Sequence, residues 1–370
     1  MNKRFALATM SVALLLAACG GSSATSAPTS GSTSAPATDA QETTAAGIVG
    51  NVDIHGSSTV APISNAVAED IQLSNPEFSY VVGDEGTGAG FGEFFCVGNS
   101  DISDASRKIR ADDPAKEGDE EATICANNGV EYVELKVGFD GIAVITSIDN
   151  PIECLTFADL YALFGPESDT FTNWNDAEAL ARSLGSTTDL PDAALSITAP
   201  GDESGTYDSF IEIALNSFIA TQFPDDPATD VNETSEATHL RTPGDIYVAS
   251  ANDNAIIQGV AGFPTSLGFV GMAYAEENAD TVKVIPIDKA ADGTCIPATK
   301  DTVQDGSYPL SRSLYIYPNL GRAAENPAIV GYVDFYLSDE GMANVNDVGY
   351  VELHPDELQE TRDAWEAAKP

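Results

Sequence analysis

Hydrophobic and polar positions follow two different periods along this chain, and the two periods alternate. Residues 51–56 (NVDIHG) alternate apolar and polar positions and end in glycine, which predicts a half-buried strand. The following segment, 62–73 (PISNAVAEDIQL), places Ile63, Val67 and Ile71 on one face of a helix. A strand followed by an amphipathic helix, repeated along the sequence, is typical of α/β folds.

The same alternation continues to the C-terminus, without an internal repeat. The strongest helix pattern is TYDSFIEIALNSFI (206–219), in which apolar residues recur at i, i+3, i+4, i+7 and i+8. Further strand patterns occupy residues 78–83, 130–147, 195–201 and 281–288, and residues 266–275 have the pattern of a strand followed by a short helix. Further helix patterns begin at residues 90–95 and occupy 155–165 (an amphipathic pattern), 329–345 and 356–368.

The N-terminus has the pattern of an export signal. MNKR carries two positive charges, and the apolar run FALATMSVALLLAA leads to Cys19, so residues 1–18 are predicted to be a signal peptide. LAAC (16–19) resembles the lipobox of bacterial lipoproteins, in which the cysteine is acylated; the alternative is an ordinary signal peptide with a chance cysteine. Residues 19–47 are rich in Ser, Thr, Ala, Pro and Gly, which predicts an acylated Cys19 and a flexible tether. The folded part is therefore expected outside the cytoplasm, lipid-anchored to a bacterial membrane in the periplasm or at the cell surface.

The net charge of the chain limits the classes of partner that it can bind. A formal net charge of -42 argues against nucleic acid, because a phosphate backbone is bound by clustered Lys and Arg. The acidic residues predict a solvated surface, and an acidic docking face is the alternative.

The number and spacing of cysteines and histidines limit which disulfides, metal sites and catalytic triads the chain can form. The cysteines other than Cys19 are Cys96, Cys125, Cys154 and Cys295. An even number in an exported protein predicts two disulfides, with three connectivities open. The chain has no CxxC and no Cys/His metal spacing, and His55, His239 and His354 lie far apart. We therefore predict no metal, no cofactor and no Ser-His-Asp triad.

Three loops rich in glycine and hydroxyl groups each follow a predicted strand and precede a predicted helix. They are HGSSTVAP (55–62), GDEGTGAGFGEF (83–94) and APGDESGTYDSF (199–210). A helix N-terminus presents unpaired N–H groups and partial positive charge, and glycine lets the backbone approach a ligand closely. Each loop alone is explained by helix capping, but three together predict an anion-binding cleft.

A fourth segment, SDISDASRKIR (100–110), adds Ser106 and Arg107 at the end of an extended stretch. The planar guanidinium of Arg107 suits an oxyanion. The alternative for Arg107 is a surface salt bridge with Asp104 or Asp112.

Together these segments resemble the phosphate-binding lipoproteins that feed Pst-type ABC transporters. The matching stretches are IHGSSTVAPI, GDEGTGAGFGEF, DISDASRKI, LTFADLYALFGPES, TNWND, DESGTYDSF, SLGFVGMAYA and YPLSRSLYIY, in family order. The resemblance implies an α/β, two-lobed type II periplasmic-binding-protein fold, in which each lobe is a mixed sheet flanked by helices and the ligand lies in the cleft. Lobe 1 would comprise 48–140 plus 306–370 and lobe 2 would comprise 141–305, with crossovers near Gly138–Gly141 and Tyr308–Arg312. This division favours the disulfides Cys96–Cys125 and Cys154–Cys295, because each pair then lies within one lobe.

The resemblance also implies a set of phosphate-binding residues. They are Ser58, Thr59, the Val60 backbone, Thr87, Gly88, Ser106, Arg107, Ser204, Gly205 and Thr206. The best-known members have an Asp where Ser106 stands and an Arg where Pro200 stands, so the proton acceptor and the cation are expected to differ here. Arg107 would supply the charge. Asp202 is the predicted acceptor of the phosphate proton, with Asp104 and Asp84 as alternatives.

The implied function is extracytoplasmic binding of inorganic phosphate and its delivery to the membrane permease of an ABC transporter, by a monomer that is not an enzyme. One alternative is a binding protein for another tetrahedral oxyanion, such as sulfate or molybdate. A secreted hydrolase is a further alternative, but GDESG lacks the GxSxG spacing of a nucleophile elbow. An anchored surface adhesin is the remaining one.

Overall fold

A computed structural model describes residues 47–111, 121–202, 204–216, 218–219 and 239–370. The predicted signal peptide, Cys19 and nearly all of the tether lie outside these residues. The predictions about export and acylation therefore remain predictions.

One mixed sheet organises most of the described strands. The strands are β1 (Gly50–Gly56), β2 (Phe78–Val82), β3 (Ile102–Ala105), β4 (Leu135–Ser147), β5 (Leu155–Thr156), β6 (Ser196–Ala199), β7 (Tyr247–Ala249), β8 (Ser266–Gly271), β9 (Val282–Val284), β10 (Ile287–Asp288) and β11 (Ser311–Pro318). The large sheet has the order β2-β1-β3-β11-β4-β8-β6-β7, with β9 also paired to β4, and β5 pairs with β10 in a separate two-stranded sheet. The predicted α/β class with mixed sheets is confirmed.

Strand β4 connects two groups of strands. Its first part pairs antiparallel with β11, and its second part pairs antiparallel with β8 and β9. β1 runs parallel to β2 and β3, whereas β6 runs parallel to β7 and β8. The two predicted crossovers are neighbours in this sheet, because Arg312 of β11 is paired with Asp140 of β4. The division into lobes at residues 140 and 306 remains a prediction.

Helices flank the sheets. They are α1 (Ala61–Ser74), α2 (Thr87–Ala89), α3 (Glu121–Asn127), α4 (Phe157–Phe164), α5 (Glu178–Ser183), α6 (Gly205–Phe210), α7 (Asp253–Ala261), α8 (Met272–Glu277), α9 (Lys300–Gln304), α10 (Leu320–Glu325), α11 (Pro327–Tyr336), α12 (Asp339–Asp347) and α13 (Pro355–Ala368). Two π-helical turns, Gly90–Phe95 and Ile211–Asn216, continue α2 and α6. Within the described part of the chain, no helix is both long and apolar enough to cross a membrane.

Helix α1 forms as its sequence predicts. Ile63, Val67 and Ile71 are all fully buried on one face. Pro62 lies in the first turn, where its missing N–H removes no helical hydrogen bond. The helix therefore begins immediately after the first glycine- and serine-rich loop and fixes where that loop ends.

Two predicted helices differ from their patterns. The pattern over 329–345 is divided into α11 and α12, because the Ser338 hydroxyl caps a new helix by accepting the N–H of Gly341 at 3.0 Å. Helix α4 is buried on every side rather than amphipathic, since all eight of its residues are buried. It is a core helix, and its Phe164 ring packs edge-on against Phe269 of β8.

Both disulfides form with the favoured connectivity. Cys96 bonds to Cys125, and Cys154 bonds to Cys295. The first disulfide joins the π-helical turn after α2 to helix α3, close to the second of the three loops. The second disulfide closes a loop with a sequence separation of 141 residues.

Candidate functional site

The loops that follow β1, β2 and β3 lie side by side, because these three strands are parallel and end at one edge of the sheet. The Gly86 N–H donates to the Gly56 carbonyl oxygen at 2.8 Å. Gly56 has a φ of +145°, and a Cβ there would lie 2.1 Å from the carbonyl oxygen of Asp104. Only glycine lets the first loop pass this close to β3.

The first loop is a tight turn that leads into α1. The Val60 N–H donates to the Ser57 carbonyl oxygen at 3.1 Å, and the Thr59 N–H donates to the Ser57 hydroxyl at 3.2 Å. The Val60 N–H is thus already bonded within the turn, and its contact with phosphate stays a prediction. The Ser58 and Thr59 side chains leave the turn toward the third loop.

The second loop and the end of β3 form one hydroxyl pair. The hydroxyls of Thr87 and Ser106 lie 3.1 Å apart, and the Ser106 N–H donates to the Thr87 hydroxyl at 3.1 Å. Gly88 follows in α2 and is exposed. Thr87 and Ser106, which the sequence predicted as site residues, are thereby in direct contact.

Arg107 is engaged by an acid that the sequence did not suggest. Its guanidinium donates to both carboxylate oxygens of Glu121, at 2.9 Å and 2.7 Å. The Glu121 side chain is 11% exposed and that of Arg107 is 27% exposed. Of the two acids suggested by the sequence, Asp104 accepts the Ser64 hydroxyl, and Asp112 lies outside the described residues. This bidentate pair holds α3 against the end of β3.

The third loop starts α6 and contacts the first loop. The Ser204 hydroxyl caps the helix by accepting the Thr206 N–H at 3.2 Å. A Cβ on Gly205 would lie 3.1 Å from the Ser58 carbonyl oxygen, which is tighter than ordinary van der Waals contact. A glycine at this position allows the two loops to touch.

A group of polar side chains joins the first loop, helix α6 with its π-helical extension, and strand β11. We call this group the polar junction; its members are Ser58, Thr59, Asp208, Ser209, Glu212 and Arg312. The Ser58 hydroxyl donates to Asp208 at 3.2 Å, and the hydroxyls of Thr59 and Ser209 lie 3.0 Å apart. Of these residues, the sequence predicted only Ser58 and Thr59 as site residues.

Arg312 is at the centre of the polar junction. Its Nη2 donates to the hydroxyls of Thr59 and Ser209, at 2.8 Å in each case, and its Nη1 donates to the carboxylate of Glu212. Its Nε lies 3.4 Å from Asp140 Oδ2 on the neighbouring strand, and its side chain is 16% exposed. Burial opposes the charge, but Glu212 and Asp140 outweigh burial and raise the pKa of Arg312.

The carboxyl groups near the site differ in burial. Burial raises the pKa of Asp208, although the hydrogen bond from Ser58 acts against it. Burial also raises the pKa of Asp140, against the attraction of Arg312. The two predicted acceptors Asp202 and Asp84 are both exposed.

Asp104 is the most enclosed of the predicted acceptors. Its side chain lies beneath α1, where Oδ1 accepts the Ser64 hydroxyl at 3.0 Å. Oδ2 has no hydrogen-bond partner among the described residues. Burial raises the pKa of Asp104 to about 7. Its carboxyl therefore lies behind the first loop, on the side of Ser64 and helix α1.

Three residues of the polar junction carried a weak signal in the sequence. Asp208 and Ser209 belong to the same GDESGTYDSF stretch as Ser204, at positions that the helix pattern leaves polar. Arg312 is the lone cation in the strand SRSLYIYP, where every residue after Ser313 is apolar or aromatic. A single charge in such a strand indicates a specific partner.

The site as a whole is rich in hydrogen-bond donors. Hydroxyls, backbone N–H groups at the start of α6 and one guanidinium meet where the loops touch, an arrangement that suits an oxyanion. Among the residues that the structure describes, no group of three His, Cys, Asp or Glu side chains could hold a metal ion.

Comparison with known proteins gives consistent matches. Residues 23–340 match the model of the PBP superfamily domain. Protein SphX of Synechococcus elongatus is 34% identical over 304 residues, 82% of this chain and 77% of that protein. Phosphate-binding protein PstS of Staphylococcus saprophyticus is 30% identical over 306 residues, 82% of this chain and 81% of that protein. A solved structure of a possible phosphate-binding protein from Planctomyces limnophilus has a TM-score of 0.71 and 29% identity, and the match covers 87% of this chain and 99% of that one.

Proposed function

This chain belongs to the PBP superfamily, a family of solute-binding proteins, and we propose that it binds inorganic phosphate outside the cytoplasm and delivers it to an ABC transporter. Its relatives named phosphate-binding protein PstS match along most of both chains. The type II periplasmic-binding-protein fold predicted from the sequence is the fold of this family.

One observation carries the proposal beyond family membership. The first and third loops, which are 150 positions apart in sequence, meet directly through Thr59 and Ser209. Each loop follows a strand and precedes a helix, so hydroxyls and N–H donors converge from both sides. Such convergent donors favour a tetrahedral oxyanion, and the PstS relatives favour phosphate among the oxyanions.

The proposed ligand set follows the resemblance. It consists of Ser58, Thr59, Val60, Thr87, Gly88, Ser106, Ser204, Gly205 and Thr206, with Arg107 at its edge. We propose that the protein binds without catalysis. Among the described residues, the hydroxyls of the site contact other hydroxyls, carboxylates, backbone N–H groups and Arg312, and none of these contacts is with a histidine that would act as a base.

Selection of phosphate over sulfate requires an acceptor, because phosphate near neutral pH carries a proton and sulfate does not. A carboxylate facing a bare sulfate oxygen brings two acceptors together without a hydrogen, which costs several kcal/mol. Asp208 is half-buried, has a raised pKa and contacts Ser58, so we propose it as the acceptor. The exposed Asp202 is the alternative taken from the sequence.

The remaining features of the proposal concern the N-terminus and the assembly. We propose that Cys19 is acylated and anchors a monomer to a bacterial membrane. We also propose two lobes, 48–140 plus 306–370 and 141–305, that close on the ligand. Intact mass of the native protein tests the anchor, since an unacylated Cys19 or a retained residue 1–18 would refute it.

Calorimetry on the purified protein tests the function. We expect one-site phosphate binding with micromolar affinity or tighter, about 8 kcal/mol, that persists in a large excess of sulfate. Asp208→Asn should lose part of this discrimination, because the amide turns a donor toward sulfate, whereas Asp202→Asn should keep it. Discrimination lost only in Asp202→Asn would move the acceptor to Asp202. Binding of sulfate or molybdate in place of phosphate would refute the proposed ligand.

A further inference from the structure

Arg312 contacts every segment that meets at the polar junction. It donates to Thr59 of the first loop and to Ser209 of α6, and it pairs with Glu212 of the π-helical turn. Asp140 of β4 lies beside its Nε. Its own strand is fixed by pairing with β4. One side chain therefore ties the first loop and the third-loop helix to the middle of the sheet.

The charge around Arg312 explains why a cation is needed there. Asp140, Asp208 and Glu212 all lie near it, and the attraction of Arg312 acts on both Asp140 and Asp208. Without a cation, three carboxylates would surround the place where the two ligand-bearing loops meet. An anion brought to that place would add a like charge to theirs.

The hydrogen bonds from Arg312 also orient two hydroxyl groups. The Thr59 and Ser209 oxygens accept from the same Nη2, so the hydrogens of both hydroxyls point away from Arg312. The Ser209 hydroxyl can direct its hydrogen to the Asp140 carboxylate, and the Thr59 hydroxyl can direct its hydrogen to Ser209 or to a ligand. The guanidinium fixes the direction of donors that a freely rotating hydroxyl would not fix.

We propose that Arg312 is the positioning residue for anion binding: it holds the first loop against helix α6 and offsets the carboxylates there, without itself touching the ligand. This inference rests on the proposed function. From the sequence, the positive charge of the site is assigned to Arg107, but the Arg107 guanidinium is bound bidentately by Glu121. The inference assigns to Arg312 the role of offsetting negative charge at the junction. A net charge of -42 is compatible with anion binding because Arg312 offsets part of the negative charge at the junction, and salt screens the more distant surface acids.

A double-mutant cycle tests the inference. Phosphate affinity and dissociation rate are measured by calorimetry and stopped-flow for the full-length parent, Arg312→Gln, Arg312→Lys, Glu212→Gln and the double variant Arg312→Gln/Glu212→Gln. We expect Arg312→Gln to weaken binding about thirtyfold or more, mainly through faster dissociation, because contacts between the closed loops are lost. Arg312→Lys should recover part of the loss, since it restores the charge but not the fork.

The double variant distinguishes positioning from a general loss of stability. Removing the Glu212 charge should restore part of the affinity that Arg312→Gln loses, because one unbalanced carboxylate disappears. Arg322→Gln is the matched control: Arg322 pairs with the buried Asp101 away from the junction, so its loss should lower stability and leave affinity within about twofold.

Several results would overturn the inference. They are an Arg312→Gln affinity within about twofold of the parent, strictly additive effects of Arg312→Gln and Glu212→Gln, and an equal loss in Arg322→Gln. If Arg312→Gln does not fold, the variants Arg312→Lys and Glu212→Gln still test the positioning role of Arg312. Unchanged phosphate affinity in both would refute that role. A parent that binds no phosphate would refute the proposed function itself, whereas a parent that binds while its Arg312 variants bind equally well refutes only this inference.

Discussion

The two sides of the site are held together by different kinds of contact. On one side, the second loop and the end of β3 are fixed by hydrogen bonds of backbone N–H groups and hydroxyls, the Arg107–Glu121 pair and the Cys96–Cys125 disulfide. We call residues 83–107 the anchored side. On the other side, the polar junction is joined by side-chain hydrogen bonds, ion pairs and one close glycine contact.

This difference predicts which side contributes mainly to stability and which side contributes mainly to ligand affinity. A disulfide and a packed aromatic cluster around Phe91, Phe95 and Tyr317 hold the anchored side in one geometry. Polar contacts in the junction contribute about 1 kcal/mol each, or about 1.5–3 kcal/mol where a charged group takes part, and they are not covalent, so we expect them to rearrange as a ligand enters. We therefore expect changes on the anchored side to lower stability and changes in the junction to lower affinity.

Asp104 lies beneath α1, behind the first loop. Substitution of Asp104 is expected to have the largest effect, and that effect is on stability and its dependence on pH. The pKa of Asp104 is raised to about 7 by burial, so the folded protein keeps a proton that the unfolded chain releases, and stability falls as pH rises from about 4 to 7. The slope is about 1.4 kcal/mol for each pH unit. Asp104→Asn removes this loss, so the variant should be more stable than the parent at pH 8 and similar at pH 4.

Denaturant unfolding of parent and variant from pH 4 to pH 8 measures this difference. Parallel stability curves would contradict it. Phosphate affinity at pH 8 serves as the control and should change little, because the Asp104 carboxyl faces Ser64 rather than the polar junction.

Loss of the first disulfide should have the next largest effect, and on stability. Replacing Cys96 and Cys125 by alanine releases a loop with a sequence separation of 29 residues. Chain entropy then favours the unfolded state by about 3.5 kcal/mol. The folded variant should still bind phosphate within about threefold of the parent. A large loss of affinity at a temperature where the variant is folded would show that the anchored side is not independent of the junction.

Ser204→Ala should act mainly on affinity. One hydrogen bond to a charged ligand is lost, which costs about 2 kcal/mol or a factor of about thirty in Kd. The helix cap on Thr206 is lost as well, which lowers stability by about 1 kcal/mol. Ser183→Ala, outside the site, is the control. Unchanged phosphate affinity in Ser204→Ala would restrict Ser204 to helix capping.

Arg107→Gln should have the smallest effect on affinity. Its guanidinium is bound by Glu121, so the substitution removes an ion pair on the anchored side and should lower stability by about 1–2 kcal/mol. Titration with phosphate should show a change of a few fold at most. A loss as large as that of Arg312→Gln would return Arg107 to the centre of the anion site.

Local patterns in the sequence were sufficient for much of the fold. The strand at 51–56 and helix α1 have one clear period, and the structure contains both. The pattern over 329–345 was misleading, because a capping serine at 338 stops one helix and starts another while the apolar spacing continues. The π-helical turn after α6 likewise leaves the residue types unchanged, and only the backbone hydrogen bonds reveal it.

The candidate site was predictable only in part, because some of its features are local in the sequence and others depend on long-range contacts. Glycine- and hydroxyl-rich loops before helices are visible in sequence, and Thr87 and Ser106 meet as their loops suggest. Arg312 was not recognised, because its partner Thr59 is 253 positions away and their contact depends on the order of strands in the sheet. Long-range contacts of this kind have no signature in a single sequence.

Hydrogen–deuterium exchange with and without saturating phosphate tests the contrast between the two sides most directly, because it compares them in one unmodified protein. We predict that phosphate slows exchange most in peptides covering residues 57–60 and 204–212, and less in peptides covering 87–107, whose geometry is already held by the Arg107–Glu121 pair and the Cys96–Cys125 disulfide. Equal slowing on both sides, or slowing confined to 87–107, would contradict a polar junction that closes on the ligand.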